Sequence, residues 1–219
     1  MRRAAWVNRQ GARAVGLART RRLSRMQAPL HAQVPGHPLH VIQRGYCRAA
    51  CFFCERDRVA YLHWLGAYAG RFGCTVHAYV LMGNHVHVLL TPSRPEGASR
   101  LMRSLGERYA RYIGEAHERS GPLLEERFKT WPLRSRRHLL DCMRYIESNP
   151  VRARLVAEPG EYRWSSFRAN ALGYDDALVT PHSCYYALGR SAALRQAAYR
   201  ELFENELSAH EPRRTRART

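Results

Sequence analysis

Acidic residues are scarce in this chain: 18 Asp and Glu stand against 36 Lys and Arg in 219 residues, a formal net charge of +18. A domain this basic repels itself unless it works beside a polyanion. Lysine is almost missing, since Lys129 is the one lysine present and arginine carries the rest of the charge. Arginine forks onto phosphate oxygens and stacks on bases, which suits nucleic acid better than acidic protein. No apolar run approaches the roughly 20 residues that span a bilayer, and no secretion-type apolar segment follows the N-terminus. The expectation is therefore no membrane partner and a cytoplasmic, nucleoid-associated protein. Without an internal repeat, solenoid and array architectures are excluded as well.

Six cysteines are present, at 47, 51, 54, 74, 142 and 184. The spacing Cys47-x3-Cys51-x2-Cys54 resembles half of a zinc site, but no downstream pair completes it. Reduced thiols buried as small hydrophobes are the expectation, with a zinc-stabilised regulator as the minor alternative. Residues 1–29 hold eight arginines and no acidic residue, and read as a basic disordered arm, with Met26 an alternative start. The end of the chain, 207–219, reads as a second basic tail.

Between these ends the patterning alternates. Strands are predicted at His40–Arg44, Thr75–Met82, His85–Thr91 and Leu123–Thr130, with Gly83-Asn84 as a hairpin turn. Helices are predicted at Glu55–Phe72, Gly97–His117 and Ser135 to about Ser148. In the second, Tyr109 and Tyr112 read as core and Arg100, Arg103, Arg108 and Arg111 as a solvated rim. In the third, Leu139, Cys142, Met143 and Ile146 form the stripe to be buried, and Pro150 is expected to end the helix. Strand-helix-strand-strand-helix predicts an α+β sandwich, an antiparallel sheet with helices on one face.

Within this frame two histidines attract attention. Side chains alternate along a strand, so His85 and His87 leave the same face with Cα atoms roughly 6–7 Å apart. Two imidazoles at that spacing can converge on one divalent cation, and on an apolar sheet each needs a polar partner. A third ligand can come from the last helix, where Tyr145 and Asn149 lie about 40° apart on the helical wheel, at the edge of the buried stripe. Asn149 would offer its amide oxygen, with His138 as a substitute or supporting group. Taken singly, Tyr145 reads as well as an edge-of-core tyrosine and Asn149 as a helix C-cap. Taken together they suggest phosphodiester chemistry. A phenol is a poor nucleophile near neutral pH unless a cation or base assists it, and a divalent cation on the scissile phosphate neutralises developing charge. Donor softness alone would admit manganese or zinc as readily as magnesium.

The segments HVIQRG, NHVHVLL, ERFK, RYIESNPVRA and YRWSSFRAN occur in an order and spacing that resemble the REP-associated tyrosine transposases. These are a branch of the single-tyrosine, His-hydrophobic-His transposases, and the likeness runs from about Pro35 to Phe203. The resemblance implies a ferredoxin-like sandwich as a catalytic domain over 30–155, with a C-terminal helical extension over 156–206. It implies Tyr145 as nucleophile, His85, His87 and Asn149 as ligands of Mg2+ or Mn2+, and single-stranded DNA with hairpins as partner, as a homodimer or a single chain. The implied activity is cleavage and rejoining of single strands beside palindromic hairpins through a phosphotyrosine intermediate. The alternative is a non-catalytic hairpin-binding protein that keeps the fold. Arg44, Arg127, Lys129, Arg144 and Arg152 are the candidate DNA contacts. Two departures stand out: Arg44-Gly45-Tyr46-Cys47-Arg48 where relatives usually read Arg-Gly-Asn-Asn-Arg, and Leu123-Leu124-Glu125-Glu126-Arg127-Phe128-Lys129 where they often read Leu-Trp-Glu-Gly-Arg-Phe-Lys. Neither touches the proposed nucleophile or ligands; both bear on DNA recognition.

Overall fold

A computed structural model describes residues 34–210, except the side chains of 205–210. The expected arm over 1–29 lies outside the described residues. So does most of the expected tail, although the last helix carries the chain to His210.

The core is a βαββαβ unit: β1 (Leu39–Arg44), α1 (Glu55–Phe72), β2 (Cys74–Leu81), β3 (His85–Pro92), α2 (Gly97–Ala116) and β4 (Lys129–Pro132). The strands lie in the order β2-β3-β1-β4, every neighbouring pair antiparallel. This is the ferredoxin-like arrangement. Alternation splits the strand side chains between two cores. Leu39, Val41, Val86, Val88 and Leu90 face α1 and α2, where Tyr61, Leu65, Leu101, Leu105 and Tyr109 are buried. A bulge between Val76 and Ala78 resets the alternation of β2. As a result Ala78, Val80 and Met82 share the opposite face with Leu89.

That opposite face is covered by α3 (Arg136–Arg152), a departure from the expected one-sided packing. The predicted stripe of Leu139, Cys142, Met143 and Ile146 is what α3 buries there. Helices therefore lie on both faces, and α3 is the one that meets the sheet side carrying His85 and His87.

Pro150 does not end α3, which continues to Arg152. Proline cannot donate to the carbonyl four residues earlier, but the Asn149 amide does so instead: Nδ2 donates to Ile146 O at 3.3 Å and to Tyr145 O at 2.7 Å. The predicted fourth strand is also shorter. Leu124 makes an isolated bridge to Gly45, the chain bends at Glu126 and Arg127, and β4 begins at Lys129.

The C-terminal segment packs behind α3 as α4 (Phe167–Leu172), α5 (Ser183–Tyr186) and α6 (Ala192–His210). Its clasp is Glu147, fully buried on α3, which accepts from Ser166 Oγ (2.5 Å), Asn170 Nδ2 (2.8 Å) and Tyr199 OH (2.7 Å). Burial raises its pKa to about 7, against the opposing pull of those three donors.

His77 on β2 ties the same segment to the sheet. Its Nδ1 donates to Thr180 O at 2.7 Å, and Nε2 accepts from Thr91 Oγ1 at 2.8 Å. Burial, helped by the neighbouring His182, pushes His77 down to about 4 although the Thr180 carbonyl pulls the other way. The unfolded chain then binds more protons than the folded one between pH 6.5 and 4. The stability contributed by neutral His77 is full above pH 6.5 and is lost as pH falls through that window, by about 3 kcal/mol at most. His77→Gln, which keeps a donor for Thr180, is expected to flatten this part of the acid dependence, read by urea unfolding at pH 7 and pH 4.5.

Candidate active site

His85 and His87 do share a face, and the strand register sets their neighbours. Arg44 of β1 lies opposite His85, Ile42 opposite His87, and His40 opposite Leu89. On the far side of β1, Lys129 pairs with Ile42 and Trp131 with His40, so both β4 residues join that face. The imidazoles of His85 and His87 are 4.9 Å apart between ring centroids.

Each imidazole is oriented through its Nδ1. Asn84 Nδ2 donates to Arg48 O at 3.0 Å, so Asn84 Oδ1 is the acceptor that meets His85 Nδ1–H at 2.7 Å. His85 Nε2 consequently carries a lone pair. His87 Nδ1 meets His40 Nε2 at 2.8 Å, the rings stacked at 5.1 Å. In the tautomer where His87 donates, its Nε2 also carries a lone pair, and such a partner behind a ligating histidine fixes its ring and raises its basicity. Burial pushes His87 down to about 3, with the charges of His40, His85 and Arg44 adding, and pushes His40 down to about 4. His85 is lowered by burial and by Arg44. All three rings are neutral at pH 7, as a metal-binding imidazole must be.

Tyr145 comes down on this pair from α3. Its ring lies edge-on to His87 at 5.7 Å and to His40 at 6.1 Å, and remains 37% exposed. The Arg152 guanidinium sits 5.0 Å from the same ring. Asn149 is one turn further along α3; its Nδ2 is spent on the helix carbonyls, which leaves Oδ1 as the atom it can offer a cation. By donor chemistry, two neutral imidazoles and an amide oxygen suit a divalent ion that keeps open positions for phosphate oxygens.

The expected DNA contacts are not placed alike. Arg44, Lys129 and Arg152 lie around the His–Tyr cluster, and Arg127 is exposed in the bend before β4. Arg144 instead turns to the C-terminal segment, its guanidinium donating to Leu202 O at 3.1 Å and lying 3.7 Å from Asp141. His138 shares a cleft wall with Tyr145 on α3.

The hairpin turn is correct in position but is not a primed turn, because neither Gly83 nor Asn84 has positive φ. The loop after β1 holds it: Gly45 N donates to Asn84 O (2.8 Å) and Cys51 N to Gly83 O (3.0 Å). Gly45 is needed for the tight path of the loop itself, since a Cβ there would stand 2.0 Å from the Ala49 carbonyl oxygen. Next to it Cys47, where relatives usually have Asn, sits at φ 51 and ψ 30. Left-handed geometry suits Asn much better than Cys. Cys47→Asn is expected to stabilise the protein by up to about 1 kcal/mol, read as a raised urea midpoint.

The cysteine triplet does not converge. Cys47 and Cys54 are exposed while Cys51 is buried, its Sγ directed at Gly83 O. Cys74 and Cys142 are buried as expected. Among the described residues, the three potential ligands that do approach one another are Cys54, Asp57 and His117. There the buried Asp57 carboxylate accepts from Phe53 N, Cys54 N and His117 Nε2, and so ties the start of α1 to the end of α2. Burial alone would raise Asp57, but these partners outweigh it and hold its pKa below the usual carboxylate range.

No curated protein sequence matches the chain. The solved structure of a REP-associated tyrosine transposase bound to a REP hairpin matches with a TM-score of 0.56 at 18% identity, covering 69% of this chain and 92% of that one. A crystal structure from Deinococcus radiodurans R1, described as a transposase, matches at 20% identity and a TM-score of 0.37, covering 51% and 88%. The first shows a shared fold. The family model for IS200-like transposases matches residues 33–149, from just before β1 to the asparagine one turn after Tyr145. That span takes in the whole sheet, both histidines and the tyrosine, and on it the chain belongs to the IS200-like transposase family.

Proposed function

We propose that the protein cuts and rejoins single-stranded DNA beside hairpins, with Tyr145 as nucleophile. The observation that carries the reading is the meeting of Tyr145 with His87 at 5.7 Å, on the face where His85 Nε2 is left ligand-ready. The hairpin substrate is inferred from the likeness to the REP-associated branch, one member of which is bound to a REP hairpin.

His85, His87 and Asn149 would hold the divalent cation, Mg2+ or Mn2+. When bound it neutralises charge on the scissile phosphate and orients it. The side chains of the chain perform the rest. The phenolic oxygen of Tyr145 forms a bond to phosphorus, and the bond from phosphorus to the 3′ oxygen breaks. The phenol loses its proton and the departing oxygen gains one, leaving a 5′-phosphotyrosyl strand and a free 3′-hydroxyl. Attack by a 3′-hydroxyl reverses the step, so no nucleotide cofactor is required for rejoining. Arg152 over the Tyr145 ring and Arg44 beside His85 supply positive charge where the phosphate must sit. Lys129 and Arg127 extend that charge along the strand's path.

The test is incubation of the full chain with hairpin-bearing single strands and Mn2+, resolved on a denaturing gel. A retarded protein–DNA species is expected. Tight hairpin binding with no cleavage and no such species would favour the non-catalytic binder instead.

A further inference from the structure

We propose that the cleft between β4 and α3 is a nucleobase pocket, in which a base next to the scissile phosphate stacks on Trp131 and presents an amino group to Asp141. This rests on the DNA-cleavage reading above and specifies which part of the substrate lies beside the reacting phosphate.

The cleft is shallow and open to solvent, with a volume of about 450 Å3, within the range of small-ligand pockets. Its apolar walls are Ile42, Trp131 and Leu133; His138, Asp141 and Tyr145 supply polar groups. Three observations point to a base. First, the cleft starts at the nucleophile, because Tyr145 is part of its lining. A phosphate attacked by that phenol is bonded to two nucleosides, so one nucleoside lies within a single residue's reach of the cleft. Second, Trp131 is 45% exposed on a four-residue edge strand, where apolar area is costly to leave in water. Its ring lies 5.7 Å from His40, tilted by 37°, which fixes the indole as part of one wall. A flat, fixed aromatic beside a basic strand path is the platform that single strands stack upon.

Third, the lining of the cleft includes one carboxylate, Asp141. Asp141 is a half-exposed carboxylate in a chain with twice as many bases as acids, held at 3.8 Å from Arg137 and 3.7 Å from Arg144. A carboxylate only accepts hydrogen bonds, so it selects donors. Cytosine, adenine and guanine present exocyclic amino groups, whereas thymine offers carbonyl oxygens and a methyl group in that place. The two arginines offset the repulsion that the neighbouring phosphate would otherwise exert on the carboxylate.

The experiment is an abasic scan of the single-stranded nucleotides flanking the hairpin, using the full chain with Mn2+. Single-turnover cleavage is measured, and in parallel equilibrium binding of the same oligonucleotides. One abasic position is expected to lower cleavage or binding roughly ten- to a hundredfold. Trp131→Ala is expected to cost a similar factor on the intact strand and little more on that abasic strand, while Trp131→Phe keeps most of the wild-type value. At that position amino-bearing bases should exceed thymine, and Asp141→Asn should narrow the difference. A flat scan, or a Trp131→Ala loss equal on intact and abasic strands, would overturn the pocket. If no strand is cleaved but the coupling appears in binding, the pocket stands and the cleavage reading falls.

Discussion

Tyr145→Phe is expected to lower covalent DNA attachment by at least about a thousandfold, because no other oxygen takes over the attack. The ring itself has structural neighbours: His87 and His40 edge-on, and Arg152 above it. Phenylalanine preserves all three contacts and removes only the hydroxyl. Hairpin binding should therefore stay within about threefold of the wild type, since phosphate contacts rather than the phenol set that affinity. Denaturing gels read the first quantity and filter binding the second. A variant that attaches DNA at the wild-type rate would remove Tyr145 from the mechanism.

His87→Ala carries the second large effect. It deletes the Nε2 proposed to hold the cation and also strands His40, whose Nε2 loses its 2.8 Å partner. Cleavage at saturating Mn2+ is expected to fall by about a thousandfold, as is typical when a principal source of transition-state charge stabilisation is lost. His40→Ala, which leaves the ligand but frees its ring, should cost about 10- to 100-fold in metal affinity. Mn2+ binding followed by electron paramagnetic resonance separates these cases without depending on turnover. The predicted order is wild type, then His40→Ala, then His87→Ala. Equal metal affinity in all three proteins would show that the imidazoles are structural.

Much of the fold could be read from local pattern. The polar–apolar alternation of His85 to Val88 marked β3, the stripe Leu139, Cys142, Met143 and Ile146 marked α3, and Gly73 closed α1 in the left-handed conformation that glycine permits. The failures came where particular hydrogen bonds replaced general local rules. Pro150 was read as a stop because a proline pushes the residue before it away from helical angles; the helix runs on, with the Asn149 amide donating to the Ile146 carbonyl that the proline leaves without a donor. The strand expected over 123–130 broke in two because Glu125 N is drawn to Arg44 O while the chain bends at Glu126 and Arg127.

At the candidate site, His85, His87 and Tyr145 were legible as residues, and the structure brings them together. Their supports were not. His40 becomes the partner of His87 only through the antiparallel register of β1 on β3, and register is a property of the assembled sheet. Asn84 looked like a turn residue and is one, but its side chain also selects the tautomer of His85. Trp131 fell just beyond the predicted strand, so its place opposite His40 could not be anticipated. Arg144 looked like its neighbours Arg152 and Lys129 in sequence; only the position of α6 shows that its guanidinium has a protein carbonyl to serve. Glu147 gave no sign of its role because its three donors come from Ser166, Asn170 and Tyr199, 19 to 52 residues away.

The most direct measurement is to locate the DNA on the protein. After reaction of the full chain with a hairpin-bearing strand and Mn2+, the adduct is digested with protease and nuclease and mapped by mass spectrometry. The account predicts a nucleotide mass on the peptide containing Tyr145, absent in Tyr145→Phe. Attachment at another residue, or cleaved strands with no protein-linked nucleotide, would contradict it.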